Sequence, residues 1–352
     1  MNYDETMEYL GALARFGVKP GLERTDALLN FAGQPQQRMK HVHIAGTNGK
    51  GSVAVMIESV LRAAGFRTGL YTSPHLQRYT ERIRVCGQEI PGRELAALIT
   101  SLAPAVQRLA GDPSIGAPTE FEVATAACFQ WFASQEVEIA VVEVGLGGRY
   151  DSTNVITPEV SVITHIAMDH MDKLGNTLGE IASDKAGIIK PGVSVVVGPQ
   201  EPEVTRVLED AARRAGAPLT LLGRDVGFDV VSIDMNGTTI DMDLPSFGPV
   251  RATTGLVGRH QASNCATAAA ALGVLAGARK TSACVFVDDL RRGLAQAANP
   301  GRFEVVASAP FVVILDGAHN PDGARALAAT VERVLPGTGP RVLVVASSRD
   351  KR

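Results

Sequence analysis

Apolar residues follow two alternating rhythms through the first two hundred positions. Short, nearly unbroken apolar runs occur at VHIAG (42–46), RTGLYTS (67–73), EIAVVEVG (138–145), VSVITHI (160–166) and VSVVVG (193–198). Between them lie segments with helical spacing, at 3–16, 23–32, 52–64, 93–110, 119–135, 176–189 and 201–215. Strands apolar at almost every position belong to a parallel sheet covered on both faces. The alternation predicts an α/β doubly wound, mostly parallel sheet. Around 225–255 the rhythm changes. FDVVSIDMNGTTIDMDL reads as two strands joined at Asn236-Gly237, which predicts a small antiparallel patch. An alanine-rich helix follows in GRHQASNCATAAAALGVLAG. After the turn-rich ANPGRFE (298–304) come a strand at 311–316, a helix at 321–335 and a strand at 341–348.

This pattern divides the chain into a large unit, 1–298, and a small one, 299–352. The small unit offers two strands and one helix and buries little core on its own, so it reads as an incomplete second α/β domain. Composition narrows the class. The chain has 352 residues, is 45% hydrophobic and 20% charged, and carries a net charge of −3. That balance gives no electrostatic signal for nucleic acid or an anionic membrane. The acidic, amphipathic start lacks the layout of a secretory signal, and no apolar run is long enough to span a bilayer. Cys86, Cys128, Cys265 and Cys284 are scattered without a C-x-x-C pair. They are expected as free thiols in the cytoplasm.

Polar chemistry collects where the strands end, which is where such sheets bind ligands. HVHIAGTNGKGS (41–52) places Gly46, Gly49, Gly51 and Lys50 between a strand and a helix. Glycines let phosphate oxygens approach backbone N–H groups, the helix N-terminus favours an anion, and a lysine adds a point charge. The spacing departs from the common G-x-x-x-x-G-K-[ST] loop, and an ordinary strand–helix turn is the alternative. Ser73, Arg78, Glu81 and Arg82 follow the second strand, as a polar turn or a solvated loop. Glu143 sits inside an apolar strand, where a carboxylate needs a cation or a metal. Asp169, His170 and Asp172 crowd one strand end without the ligand set of a zinc site, whereas His41, His43 and His165 read as structural. Lys185 lies near the inner face of its helix, so it snorkels, finds an anion or changes charge state. Asn264, Arg302, Asp316, His319 and Asn320 complete the set, the last three facing the first unit across a cleft.

In order along residues 20–325, GLERTDALL, HVHIAGTNGKGSV, GLYTSPHL, RYTERI, FEVATAACF, VVEVGLGGRYDSTN, ITHIAMDHMDKLG, IASDKAGIIKPG, GRHQASN, PGRFE and DGAHNPDG resemble the folylpolyglutamate synthase/dihydrofolate synthase family of the Mur ligase superfamily. The resemblance implies an ATP-dependent amide ligase. A folate or dihydropteroate carboxylate is phosphorylated to an acyl phosphate, and L-glutamate displaces the phosphate. It places Gly46, Thr47, Asn48, Gly49, Lys50, Gly51 and Ser52 on the ATP phosphates, with Asn264, Arg302 and Asp316 as further nucleotide contacts. Ser73, Glu143, His170 and a carbamylated Lys185 become ligands of two Mg²⁺ ions. Asp316 and His319 face the ATP and the incoming glutamate. Phe121, Asp151 and Arg82 lie on the folate side. The resemblance also implies further strand–helix units after VLVVASSRDKR, so weak turnover is expected of this chain. A cell-wall Mur ligase is disfavoured because only about 40 residues precede the glycine loop. A non-catalytic nucleotide module leaves Ser73, Glu143, His170 and Lys185 without a role. A monomer is expected.

Overall fold

The computed structural model describes residues 1–14, 17, 19–277, 285–337 and 339–346. Two helices open the chain, α1 (Tyr3–Ala14) and α2 (Glu23–Phe31). Strand β1 (Lys40–Ala45) leads through the glycine loop into α3 (Lys50–Ala63) and β2 (Thr68–Tyr71). A short antiparallel edge follows in β3 (Ile83–Val85) and β4 (Gln88–Glu89), an addition that the apolar rhythm does not announce. Helices α4 (Gly92–Ala110) and α5 (Glu120–Ser134) precede β5 (Ile139–Glu143) and β6 (Val160–Ile163). Then come the short α6 (Met171–Leu174), α7 (Leu178–Lys185), β7 (Ser194–Val197), α8 (Pro202–Ala215) and β8 (Leu219–Leu221). Among the described residues these strands form one sheet in the order β4-β3-β2-β5-β1-β6-β7-β8. β1 lies between β5 and β6 and is parallel to both.

Burial explains why the central strands are apolar throughout. Every residue of β5 and β6 is buried, since helices cover both faces. One core, around Met56, Ile57 and Val141, packs α3 and α9 (Arg259–Gly277) on one side. Another, around Phe129, Phe132 and Leu28, packs α2, α4 and α5 on the other. Alanines and one cysteine dominate the buried positions of α9, so a long helix lies close to its neighbours.

The patch around Asn236-Gly237 has three strands rather than two: β9 (Gly227–Asp234), β10 (Gly237–Leu244) and β11 (Gly248–Thr254). β11 alternates apolar-in and polar-out, and its Pro249 and Arg251 conceal the strand signal. The segment 176–189 is helical over α7 and then closes in a 3₁₀ turn at Ala186–Ile188. Helix α10 (Val287–Gln296) packs on α3 and β11. Residues 301–346 contribute β12 (Glu304–Ala307) and β13 (Val313–Leu315), paired antiparallel, and α11 (Pro321–Val334). The strand expected at 341–348 is not formed over 341–346. Val342, Leu343, Val344 and Val345 are exposed there, and among the described residues no strand pairs with them. Its last two positions lie outside the described residues, as do Cys284 and the last two positions expected for the first helix. Cys86, Cys128 and Cys265 are free thiols.

Candidate active site

The glycine loop sits between β1 and α3, at the carboxyl end of the central parallel strands. Gly46 has φ +145°, and a Cβ there would lie 1.9 Å from Thr164 Oγ1. Gly49 has φ +91°, and a Cβ there would lie 2.4 Å from Asn264 Oδ1. Only glycine meets both the torsion and the close approach. The backbone N–H groups of Thr47 and Asn48 donate to His165 O at 2.9 and 3.1 Å. The first bond back within the helix runs from Val53 N to Gly49 O, at 2.9 Å. The amides of residues 49–52 are therefore the helix-start donors that an anion can take. The amides of Thr47 and Asn48 are taken by the neighbouring strand end. Lys50 Nζ donates to Thr47 O at 3.2 Å and stays beside the loop. Ser52 is buried, and its Oγ accepts from Gln261 Nε2 at 3.3 Å and Asn299 Nδ2 at 3.2 Å.

Glu143 ends β5 and is buried. Its Oε2 accepts from Ser73 N at 3.2 Å. Burial raises its carboxyl pKa, opposed by the charge of Lys50. Lys185 ends α7 and is also buried, and its Nζ donates to Gly46 O at 2.8 Å. Burial, with Lys50 adding repulsion, lowers its pKa to about 7. His170 takes a left-handed backbone, φ +48°, at the start of α6, with its backbone N donating to Asp169 Oδ1 at 2.9 Å. Asn264 lies in the second turn of α9 rather than at its start, and its Nδ2 donates to Gln261 Oε1 at 2.9 Å.

The second wall comes from residues 301–346. Asp316 follows β13, and its carboxylate accepts from Phe303 N and Ala318 N, both at 2.8 Å. His319 Nδ1 lies 2.9 Å from Gly317 O, which makes Nδ1 the protonated ring nitrogen. His319 Nε2 lies 3.6 Å from Asp169 Oδ2. A cleft of about 560 Å³ gathers the loop 46–52, Ser73, Glu143, His170, Lys185, Asn264, Arg302, Asp316 and His319.

A second cavity, of about 990 Å³, contains Arg82, Phe121 and Asp151. Arg82 Nη1 donates to Glu120 Oε1 at 3.0 Å, and its guanidinium lies 4.4 Å over the Tyr79 ring. Phe121 stacks on Tyr71 with centroids 5.8 Å apart. Asp151 accepts from Leu146 N at 2.8 Å and Thr153 N at 3.0 Å, so it also braces its own loop. The two cavities share Ser73, His170 and His319 in their walls. Sequence reasoning set His165 aside as structural, yet it lines the cleft, 3.5 Å from Asp322 Oδ2. Gln261 and Asp322 were missed. Their signal was position alone: Gln261 lies one turn before Asn264 on α9, and Asp322 lies in the first turn of α11, three residues after His319. His41 and His43 are buried, with pKa values lowered to about 4 and about 3 by burial, as structural residues.

Among the described residues no three His, Cys, Asp or Glu side chains converge as a ready metal site. Glu143 nevertheless offers a buried carboxylate, held by one backbone donor, in the cleft that the glycine loop lines. One or two hard protein ligands, completed by phosphate oxygens and water, suit Mg²⁺ and not zinc.

Comparison with known proteins agrees with this geometry. The Mur ligase middle domain matches residues 44–272, and the Mur ligase glutamate ligase domain matches 301–352. A dihydrofolate synthase/folylpolyglutamate synthase of Bacillus subtilis is 39% identical over 356 residues, covering 99% of this chain and 80% of that protein. A solved folylpolyglutamate synthase–AMPPCP–folate complex superposes with a TM-score of 0.88 at 36% identity, covering 97% of this chain and 82% of that one. A Mycobacterium tuberculosis folylpolyglutamate synthase complexed with ADP superposes at 0.85 and 38% identity, covering 94% and 73%. The chain belongs to the folylpolyglutamate synthase/dihydrofolate synthase family of Mur ligases.

Proposed function

We propose that this ligase adds L-glutamate to a folate or dihydropteroate carboxylate, with ATP in the 560 Å³ cleft and the pteridine substrate in the 990 Å³ cavity. The observation that carries this is the junction of the two cavities at Ser73, His170 and His319. A carboxylate reaching it from one side meets a terminal phosphate arriving from the other.

Phosphoryl transfer between two anions needs neutralisation and alignment. The amides of residues 49–52, Lys50 and Arg302 supply the first at the phosphates, and Asn264 holds the nucleotide. The substrate carboxylate oxygen attacks the γ-phosphorus, ADP leaves, and an acyl phosphate forms. The glutamate amine, after losing a proton, attacks the acyl carbon. Collapse of the tetrahedral adduct breaks the C–O bond to phosphate and leaves the amide. His319 carries its ring proton on Nδ1, so Nε2 is the basic nitrogen at the junction, 3.6 Å from Asp169 Oδ2. Ser73, Glu143 and His170 would hold Mg²⁺, which supplies charge neutralisation at the phosphates. With a pKa of about 7, Lys185 holds a large fraction of neutral amine at neutral pH. A neutral amine is the form that adds CO₂, and the resulting carbamate would place a second anion opposite Lys50. Phe121, Asp151 and Arg82 bind the pteridine side. The chain is proposed to act as a monomer in the cytoplasm, where the buried thiols of Cys128 and Cys265 would stay reduced.

The test is glutamate-dependent phosphate release from ATP, with dihydropteroate and tetrahydrofolate as alternative acceptors. Release with either supports the reading and identifies the acceptor. No glutamate-dependent release with either would overturn it.

A further inference from the structure

The start of α11 touches the phosphate loop through an arrangement that the proposed chemistry does not use. Asn320 and Asn48 pair side chain to side chain in both directions. Asn320 Nδ2 donates to Asn48 Oδ1 at 3.0 Å, and Asn48 Nδ2 lies 3.3 Å from Asn320 Oδ1. Asn48 Nδ2 also donates to Asp322 Oδ2 at 2.8 Å. Asn320 Nδ2 reaches Asp169 Oδ2 at 3.2 Å, on the residue before His170. Asn320 is buried, and its Oδ1 also accepts from Gly323 N at 2.8 Å as the N-cap of α11. One side chain thus starts the helix, reads the phosphate loop and reaches the strand end bearing His170. Two opposed amide bonds fix a register that a single bond or a charge pair leaves free to slide.

We propose that Asn320, with Asp322, is a positioning residue that registers the 301–346 unit on the phosphate loop, so that Asp316 and His319 stand over the bound nucleotide. This rests on the reading of the cleft as the ATP site. Asn320 acts through Asn48 and Asp169 rather than on the reacting atoms. Asp322 contributes an acceptor, so its charge matters less than its oxygen.

Capping alone and registration predict different outcomes for one substitution. Aspartate is as good an N-cap as asparagine. It cannot donate to Asn48 Oδ1, and it brings a like charge to Asp169 and Asp322. The expected result for Asn320→Asp is a folded protein whose kcat falls about thirty-fold or more. The affinity for a non-hydrolysable ATP analogue should change less than about threefold, because the loop itself is intact. Asn320→Ala should fall about tenfold in kcat, and Asp322→Asn, which keeps an acceptor for Asn48, should fall less than Asp322→Ala. A double-mutant cycle of Asn48→Ala and Asn320→Ala should show about fivefold or greater coupling in kcat, in the range of contacting side chains. Parental kcat in Asn320→Asp, or additive effects in the cycle, would overturn the proposal. Lys50→Ala, run alongside, separates the two readings. If it loses turnover while Asn320→Asp does not, the cleft stands and only the registration fails. If Lys50→Ala keeps full turnover, the reading of the cleft fails.

Discussion

The two walls of the cleft are built on different physical terms. The wall from the central sheet is part of the core. Glu143 and Lys185 sit there almost without solvent, Glu143 at the end of a strand whose every residue is buried and Lys185 at the end of α7. The wall from residues 301–346 is thin. Val306, Phe311 and Leu315 are exposed on and beside its two strands, and it meets the loop through uncharged amides and one carboxylate. A core holds a buried ionisable group in place at a cost to stability, and that group then acts with little reorganisation. A thin wall can be docked and undocked at modest cost. A ligase that must admit three substrates and then exclude water has use for both.

The contrast predicts where substitutions strike activity and where they strike stability. The largest effect belongs to Lys50→Ala. Its ammonium is partly exposed at the loop, so the fold should survive, with a denaturation midpoint close to the parent. Turnover should fall by about 10³-fold, the scale seen when one preorganised charge-stabilising donor is removed. Steady-state phosphate release and urea titration check both halves. Turnover within tenfold of the parent would remove the central wall from the chemistry.

Next comes the core behind that wall. Phe129 is fully buried on α5 and meets His41 edge-on at 5.8 Å. Phe129→Ala should cost about 3–5 kcal/mol, from lost transfer energy and a cavity. Equilibrium urea unfolding reads this, and a cost below about 1 kcal/mol would mean that the core collapses into the space.

Lys185 tests the cost of a buried charge. Its folded pKa of about 7 lies below the ordinary lysine value of 10.5. Below pH 7 both states are protonated, and the folded state bears the full penalty. Between pH 7 and 10.5 the unfolded chain binds more protons, so this contribution makes stability rise with pH. Lys185→Met does not titrate. It should be more stable than the parent at pH 6, by an amount on the order of a few kcal/mol, with the gap narrowing towards pH 9. Denaturation at both pH values without added CO₂ measures the gap, and a gap that stays constant contradicts the buried cation.

The central wall was legible in the sequence because its signals are local. Apolar strands, glycines at the turns and polar residues at strand ends each report their own neighbourhood. Lys50, Glu143 and Lys185 could be picked out from those surroundings alone. β3, β4 and β11 were not legible. Short strands carry few apolar positions, and β11 is recognisable only beside β10. His165 looked structural because the group that makes it a cleft residue, Asp322, lies more than 150 positions away. Asn320 was legible as strand-end polar chemistry, but its pairing with Asn48 depends on how the two units meet. The exposed run 342–345 shows the converse: strand propensity with no pairing strand among the described residues forms no strand.

The smallest predicted effect falls on the thin wall. Leu315 is apolar and lies in β13, one residue before Asp316, so its position in sequence suggests a core residue under the site. Its side chain is half exposed, and among the described residues its strand is paired only with β12. Little apolar area leaves water when it folds, and truncation leaves an open surface instead of a cavity. Leu315→Ala should therefore cost no more than about 0.5 kcal/mol, the range of ordinary surface changes. Turnover should stay within about twofold, because Asp316 is held by the backbone N–H groups of Phe303 and Ala318 and not by its neighbour's side chain. Urea unfolding together with phosphate release checks this. A loss above about 2 kcal/mol would show that the second wall is consolidated like the first, and the distinction between a buried and a docked wall would fall.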